Sequence, residues 1–233
     1  WDPDTNGLLL ATEQSKFSKE PRPVYYQELD ILGFDQYWTY PKDDIAPLLW
    51  AEANNYFYKG RNVARTKGGS LYTKPEITIL EDPEPEGIPL QFVDVEAMCW
   101  KNQELMETLV QETIQKIYNT YCEYQKKIDV FYVAFSGGKD SVVTLDLVQR
   151  ALPHDDFKVL FGDTGMEFSD TYETVDQVKD WCKDNGIDFQ VSKSEYNPLD
   201  TWAEFGPPCT VTRWCCSVHK TSPQILHLRK ILN

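Results

Sequence analysis

Three short apolar runs in the second half of the chain alternate with stretches of helical spacing. Val130-Phe131-Tyr132-Val133-Ala134-Phe135, Lys158-Val159-Leu160-Phe161-Gly162 and Asp188-Phe189-Gln190-Val191 read as strands. Between the first two, Val143, Leu147 and Val148 mark a helix from Val142 to Ala151. Between the second and third, Tyr172, Val175, Val178 and Trp181 mark another, closed by Asn185-Gly186. Strands and helices in this order predict an α/β fold built on a doubly wound parallel sheet. In such a sheet a ligand sits at the carboxyl ends of the strands, near a topological switch point.

The first half has a different pattern. From about Asn102 to Gln125 apolar residues recur every three or four positions, among them Met106, Ile117, Tyr121 and Tyr124. This predicts a long packing helix, and Asp94 can cap a helix here. Leu48, Leu49, Ala53 and Phe57 lie near helical spacing and predict a short helix between Asp44 and Tyr58. Phe57 to Leu80 reads as a small β unit, with turns at Lys59-Gly60 and Lys67-Gly68-Gly69-Ser70 and a strand at Glu76–Leu80. Trp38, Tyr40 and Trp50 are expected in the core of a small N-terminal unit. Ser18-Lys19-Glu20-Pro21-Arg22-Pro23 reads as extended. The acidic, proline-rich stretch Glu81–Gly87 is hostile to helix and is the best candidate boundary. The predicted organisation is a mixed α+β region at 1–87, a connecting helix at 88–128 and the α/β domain at 129–233.

Composition narrows the class. The chain has 233 residues, 41% hydrophobic and 26% charged, as expected of a soluble globular protein. No stretch approaches the roughly 18 apolar residues of a membrane span, and no signal peptide is visible, so a cytoplasmic location is expected. The start lacks Met and the end falls inside what reads as an amphipathic helix, which suggests a piece of a longer protein. The net charge of −14 disfavours long nucleic acid and membrane surfaces as partners. Two basic islands stand against it. Lys59, Arg61, Arg65, Lys67 and Lys74 occupy a stretch without an acid, read either as a solvated hairpin face or as a surface for nucleic acid or a partner. Arg213, Lys220, Arg229 and Lys230 fall in an acid-free C-terminal segment. Six cysteines without a secretory signal fit a reducing compartment. Cys99, Cys122 and Cys182 are expected to be buried.

The chemistry concentrates at Ser136-Gly137-Gly138-Lys139-Asp140-Ser141, directly after the first strand. A strand, a glycine turn and a helix aim unpaired N–H groups and a positive helix end at an anion. Ser136 and Ser141 bracket the turn with hydroxyls, and Lys139 brings a mobile cation. The loop is not a Walker A motif, because Val133 stands where a Gly is required and Asp140 where Ser or Thr is required. Asp163-Thr164-Gly165-Met166-Glu167 follows the second strand and falls on the same edge.

Ser-Gly-Gly-Lys-Asp-Ser resembles the pyrophosphate-binding loop of the adenine-nucleotide α-hydrolase superfamily. Two further blocks narrow the resemblance to the phosphoadenosine phosphosulfate reductase family. They are Phe161–Phe168 with Thr171-Tyr172, and Arg213-Trp214-Cys215-Cys216-Ser217-Val218-His219-Lys220-Thr221-Ser222-Pro223. The resemblance covers about Val130 to Ile231 and implies a Rossmann-like fold. It also implies an adenine nucleotide, either ATP or a sulfated adenylate, held by Ser136, Gly137, Gly138 and Ser141. Asp163 and Thr164, followed by Gly165, would face the ribose or α-phosphate, and Arg213 and Lys220 would act as clamps. Lys139, Asp140 and Asp163 are the candidate catalytic residues. Asp140 is read either as a contact to Mg²⁺ or phosphate-bound water, or as a loop carboxylate accepting N–H bonds. Glu167 is either a cation ligand or an acid in the first turn of the next helix.

In iron–sulfur members of the family, adjacent cysteines like Cys215 and Cys216 supply two of four cluster ligands. The other pair lies far downstream. Cys209 is a third candidate thiolate, and four are needed, so a cluster is expected only in a longer chain. Ligation and a structural role stay level for this pair. The implied activity is chemistry at an α-phosphate or sulfate: adenylation for sulfur transfer, or sulfonucleotide reduction, with a sulfur donor or acceptor protein as partner. The alternative is a nucleotide-sensing or scaffold subunit without catalysis.

Overall fold

The computed structural model describes residues 1–13, 17, 19–70 and 72–232. Ser18, the first residue of the expected extended segment, lies outside them. The chain divides into two compact units, Trp1–Thr108 and Leu109–Asn233. No helix among the described residues is long and apolar enough to cross a membrane.

The first unit is built on an antiparallel sheet of five strands in sequence order. It comprises β1 (Arg22–Val24), α1 (Tyr26–Leu32), β2 (Leu49–Glu52), β3 (Asn55–Tyr58), β4 (Arg61–Lys67) and β5 (Glu76–Ile79), followed by α2 (Val95–Tyr124). The short helix expected between Asp44 and Tyr58 is instead the β2–β3 hairpin. Its apolar residues mimic helical spacing only because a turn interrupts them. Ala53 adopts a left-handed φ of 53°, and Glu52 pairs with Asn55 across the turn. Beyond it, burial follows a period of two, with Tyr56 and Tyr58 inside. Lys59 and Gly60 form the next hairpin turn with φ of 46° and 78°, the left-handed pair that suits strand twist.

Leu29, Phe34, Leu48, Leu49, Tyr58 and Val63 make up the centre of this core. Trp38, Tyr40 and Trp50 are buried as expected, and the Trp50 indole donates to the Asn6 carbonyl at 2.8 Å. The acidic stretch 81–87 folds back onto the basic hairpin. Glu84 accepts from Tyr58 Oη at 2.7 Å and from Lys59 Nζ at 2.8 Å, and Glu81 pairs with Arg61 at 3.1 Å. Part of the basic island is therefore neutralised within its own unit. The division between the units falls inside α2, after Thr108.

Helix α2 begins at Val95, ahead of the clear periodicity, where Asp94 Oδ1 accepts from the Ala97 N–H at 2.9 Å. None of its residues is buried. Cys99 and Cys122 are accordingly exposed, contrary to expectation, and only Cys182 is buried. The apolar residues recur at helical spacing, but no position along the helix is fully enclosed. Near its end, Ile117 and Tyr121 pack in part against the core of the second unit.

The second unit carries β6 (Tyr132–Phe135), α3 (Lys139–Ala151), β7 (Lys158–Asp163), α4 (Ser169–Asp184), β8 (Asp188–Lys193) and α5 (Pro198–Phe205). A π-helical segment, Cys216–Thr221, then leads into α6 (Ser222–Leu232). The strands are parallel and run in the order β6-β7-β8. Val133, Phe135, Val159 and Phe161 form one face, and with Leu145 of α3 and Val175 and Cys182 of α4 they make a single core. On the other face, Gln190 Oε1 accepts from His227 Nε2 of α6 at 2.9 Å, and Gly162 lies under Gln224. Helices on both faces are what the α/β pattern predicts. The described strands show no reversal of order, so the shared carboxyl edge, not a switch point, locates the site.

Two starts shift. The first strand begins at Tyr132 rather than Val130. Helix α3 begins at Lys139 rather than Val142, which places Lys139, Asp140 and Ser141 in its first turn. Leu145 is the core residue of that helix, while Val143 is 57% exposed.

Candidate functional site

Because β6, β7 and β8 are parallel, the segments after them open on one edge. Phe135 is level with Phe161 and Asp163 with Lys193, so β7 and β8 extend two residues past the end of β6. Ser136, Gly137 and Gly138 turn the chain into α3 beneath that step. Gly137 has φ of 78°, a region that costs a side-chain-bearing residue strain. A Cβ there would lie 2.9 Å from Thr171 Cγ2 and 3.3 Å from the Thr171 carbonyl. The loop is thus seated against the first turn of α4. Gly138, with φ of −87°, is the N-cap of α3, and no side chain caps that helix.

The serines organise the turn. Ser141 Oγ donates to the Gly138 carbonyl at 2.8 Å and accepts from the Ser136 N–H at 3.2 Å, with Ser136 Oγ at 3.3 Å. Ser141 is buried, so it stabilises the loop from inside. At the start of α3 the Ser141 N–H donates to the Gly138 carbonyl at 3.1 Å, and Gly138 offers no side chain to cap the helix. Lys139 Nζ and Asp140 Oδ1 pair at 2.6 Å with both side chains 90% exposed. Such an exposed pair is worth little in water.

Asp163 ends β7 and is saturated with donors. Its Oδ1 accepts from the Gly165 N–H at 2.8 Å and from Tyr172 Oη at 2.7 Å, and its Oδ2 accepts from Lys193 Nζ at 2.8 Å. Burial pushes its carboxyl up, but Lys193, Tyr172 and the Gly165 N–H outweigh that and hold it below the usual carboxylate range. Burial and the same carboxylate push the Tyr172 phenol up. In this arrangement Asp163 shapes the loop after β7. Thr164 Oγ1 donates to Glu167 Oε1 at 2.9 Å and accepts from the Met166 N–H at 3.3 Å, closing that loop on itself. Glu167 precedes α4, whose first-turn acid is Asp170, so the first-turn reading of Glu167 is corrected.

Lys220 sits in the π-helical segment with its stem 3.5 Å from where a Gly162 Cβ would be, next to Asp163 in sequence. The structure thereby joins the glycine loop, the Asp163 block and Lys220 by packing. Arg213 is exposed in the turn ahead of Cys215, where its carbonyl accepts from the Cys216 N–H at 3.1 Å. Lys193 is the site residue the sequence reading missed. Only the pairing of β7 with β8 puts it level with Asp163. Beside it opens a cavity of about 450 Å³ lined by Lys193, Ser194, Tyr196, Ser222, His227 and Lys230, among others.

Cys215 and Cys216 are half-buried at the head of the π-helical segment. Among the described residues no group of three or more His, Cys, Asp or Glu side chains is placed to share a metal ion. Two thiols do not make up the four ligands of a cluster. The segment is clamped to α5 instead. His219 Nε2 lies 2.8 Å from Thr201 Oγ1, and the Trp214 indole donates to the Gly206 carbonyl at 3.2 Å.

A glycine turn leading into a helix at the carboxyl edge of a parallel sheet gives residues 130–233 the architecture of an α/β domain with its loops on one edge. Residues 130–233 match the family model described as the phosphoadenosine phosphosulfate reductase domain, and this portion of the chain belongs to that family. An uncharacterized protein of Methanocaldococcus jannaschii is 32% identical over 179 residues, covering 77% of this chain and 39% of its own length. A second uncharacterized protein of that organism is 36% identical over 126 residues, covering 54% and 25%. The adenosine 5′-phosphosulfate reductase of a Geobacillus strain is 38% identical over 61 residues, 26% of this chain and 25% of the reductase. The chain thus spans two-fifths or less of the length of these relatives.

Proposed function

We propose that residues 130–233 bind an adenine nucleotide carrying a phosphosulfate or polyphosphate chain, with its anionic end in the Ser136–Ser141 loop. The activity proposed for the whole protein is chemistry at the α-phosphate or sulfate, with a sulfonucleotide as the favoured substrate. The observation that carries this reading is the start of α3, where Gly137 and Gly138 present backbone and no side chain caps the helix. Charge favours the same reading, since Lys139, Lys193 and Lys220 supply cations on an acidic chain. Family membership and similarity to named adenosine 5′-phosphosulfate reductases make the sulfated adenylate the first ligand to try.

In this reading Ser136 and the first-turn N–H groups receive the oxygens, and Lys139 leaves Asp140 to neutralise them. Asp140 is then free for Mg²⁺ or a phosphate-bound water. Lys193 keeps two ammonium hydrogens for the ligand while the third holds Asp163. Such a site acts by positioning and charge stabilisation.

The test is a thermal-shift series on the chain with adenosine 5′-phosphosulfate, its 3′-phosphorylated form, ATP, AMP and pyrophosphate, with and without Mg²⁺. A ligand at 100 times its Kd stabilises by about 2.7 kcal/mol, which is readily seen. Stabilisation by the sulfated adenylates above AMP is the expected result. Stabilisation by ATP with release of pyrophosphate would redirect the assignment to adenylation. Binding of every adenylate without turnover in the intact protein would favour a sensor. No shift with any of them would overturn the reading.

A further inference from the structure

Within Trp1–Thr108, the chain around Leu8–Leu10 runs beside the first turns of α2 and leaves a cavity of about 580 Å³. Its lining is almost wholly apolar, from Leu8, Leu10, Trp50, Met98, Trp100 and Met106. The polar backbone of the wall is already satisfied. Asn102 Oδ1 accepts from the Leu10 N–H at 2.7 Å, and Asn102 Nδ2 donates to the Leu8 carbonyl at 2.8 Å. What faces outward is side-chain surface, with Trp100 77% and Met106 49% exposed. Met98, Asn102 and Met106 fall at i, i+4 and i+8, so the floor follows one helix stripe.

The rim is acidic. Glu107 stands on the wall of the groove, and Asp94 and Glu96 surround a second depression that shares Trp100. Lys101 does not offset them, because its ammonium is committed to Asp2 at 2.7 Å and Asp4 at 3.4 Å. From Glu96 to Glu107 the helix rises about 16 Å, roughly three turns of a bound helix.

We propose that this groove docks an amphipathic helical segment of a partner protein whose apolar face is flanked by Lys or Arg. Charge complementarity selects that occupant: apolar anchors enter between Leu10 and Met106, and cations reach Glu96 at one end and Glu107 at the other. Methionines adapt to such a face, and an exposed tryptophan is a common anchor of binding energy. The inference is independent of the nucleotide reading.

The test uses the full chain and two designed peptides of about 14 residues, one Leu/Lys and one Leu/Glu, with the same apolar face. Titration calorimetry is expected to give saturable binding of the Leu/Lys peptide only. The doubly substituted Trp100→Glu, Met106→Glu chain is expected to bind at least tenfold more weakly with an unchanged melting point, since both side chains are exposed. Glu96→Gln with Glu107→Gln is expected to weaken binding and flatten its salt dependence. Equal binding by the groove variant would overturn the proposal, as would no saturable binding. So would a dimer that Trp100→Glu dissolves, because a second copy would then own the groove. Protection of Trp100 from oxidation by N-bromosuccinimide in the chain alone would also overturn it, by placing the chain's own residues there.

Discussion

Replacing Gly137 with Ala tests the packing of the glycine loop at one atom. Gly137 has φ of 78°, so any Cβ is strained by about 1–2 kcal/mol before it touches anything. The added methyl would then stand 2.9 Å from Thr171 Cγ2, with the Thr171 carbonyl at 3.3 Å. Relieving that contact means moving the loop away from α4, an overpacking cost of about 1–3 kcal/mol. The expected total is about 2–5 kcal/mol. At roughly 2–4 °C per kcal/mol for a chain of this size, the melting point should fall by roughly 4–20 °C. Gly138→Ala is the internal control. Gly138 has φ of −87°, and its Cβ would meet only Ser136 Oγ at 3.7 Å. Its cost should stay below about 1 kcal/mol, the scale of a changed N-cap. Circular dichroism melts and urea titrations of both variants read the difference. Equal effects from the two substitutions, or a Gly137→Ala variant as stable as the parent, would refute the loop packing.

Asp163→Asn should destabilise the second unit by about 1–3 kcal/mol at pH 7, because it weakens the bonds to Lys193 and Tyr172. The folded carboxyl lies below its unfolded value, so its contribution is complete above about pH 4 and is lost as pH falls through the folded value. The gap between parent and variant in urea midpoints should therefore narrow below about pH 4, and a gap independent of pH would count against it. Thiol labelling should discriminate among the cysteines. The backbone N–H groups of Thr212 and Val211, and the Thr212 hydroxyl, lower the exposed Cys209 thiol, whereas burial pushes Cys182 up to about 11. Mass spectrometry after a short iodoacetamide pulse at pH 7.5 should find Cys209 modified well before Cys182. Thr201→Val leaves His219 Nε2 without its partner inside a buried contact and should cost about 1–3 kcal/mol, read as a lower urea midpoint.

The α/β half was legible because its signals are local. Strand runs bounded by Gly and Asp, and a helix closed by Asn185-Gly186, specify elements without help from distant residues. The same locality exposed the site, since the glycine loop and the Asp163 block each follow a strand. Lys193 escaped because nothing local marks it; only the pairing of β7 with β8 puts it against Asp163. The hairpin at Leu49–Tyr58 was misread for a related reason. Its turn uses Ala53 in a left-handed conformation, where sequence offers no Gly to signal it. Helix α2 was seen as a helix, but its lack of burial was not, because periodicity reports spacing and not what covers a face. The cluster question turns on more ligands than Cys215 and Cys216.

The central claim is that the Ser136–Ser141 loop receives the charged end of an adenine nucleotide. Calorimetric titration of the chain with adenosine 5′-phosphosulfate, repeated on Lys139→Ala, tests it most directly. Lys139 is 90% exposed, so its loss should leave the fold intact and report on the ligand alone. The account predicts saturable binding to one site, displaced only weakly by AMP, and about tenfold or more weaker in Lys139→Ala, the worth of one charge-assisted contact. Binding of equal strength in parent and variant would contradict it, as would no binding at millimolar nucleotide.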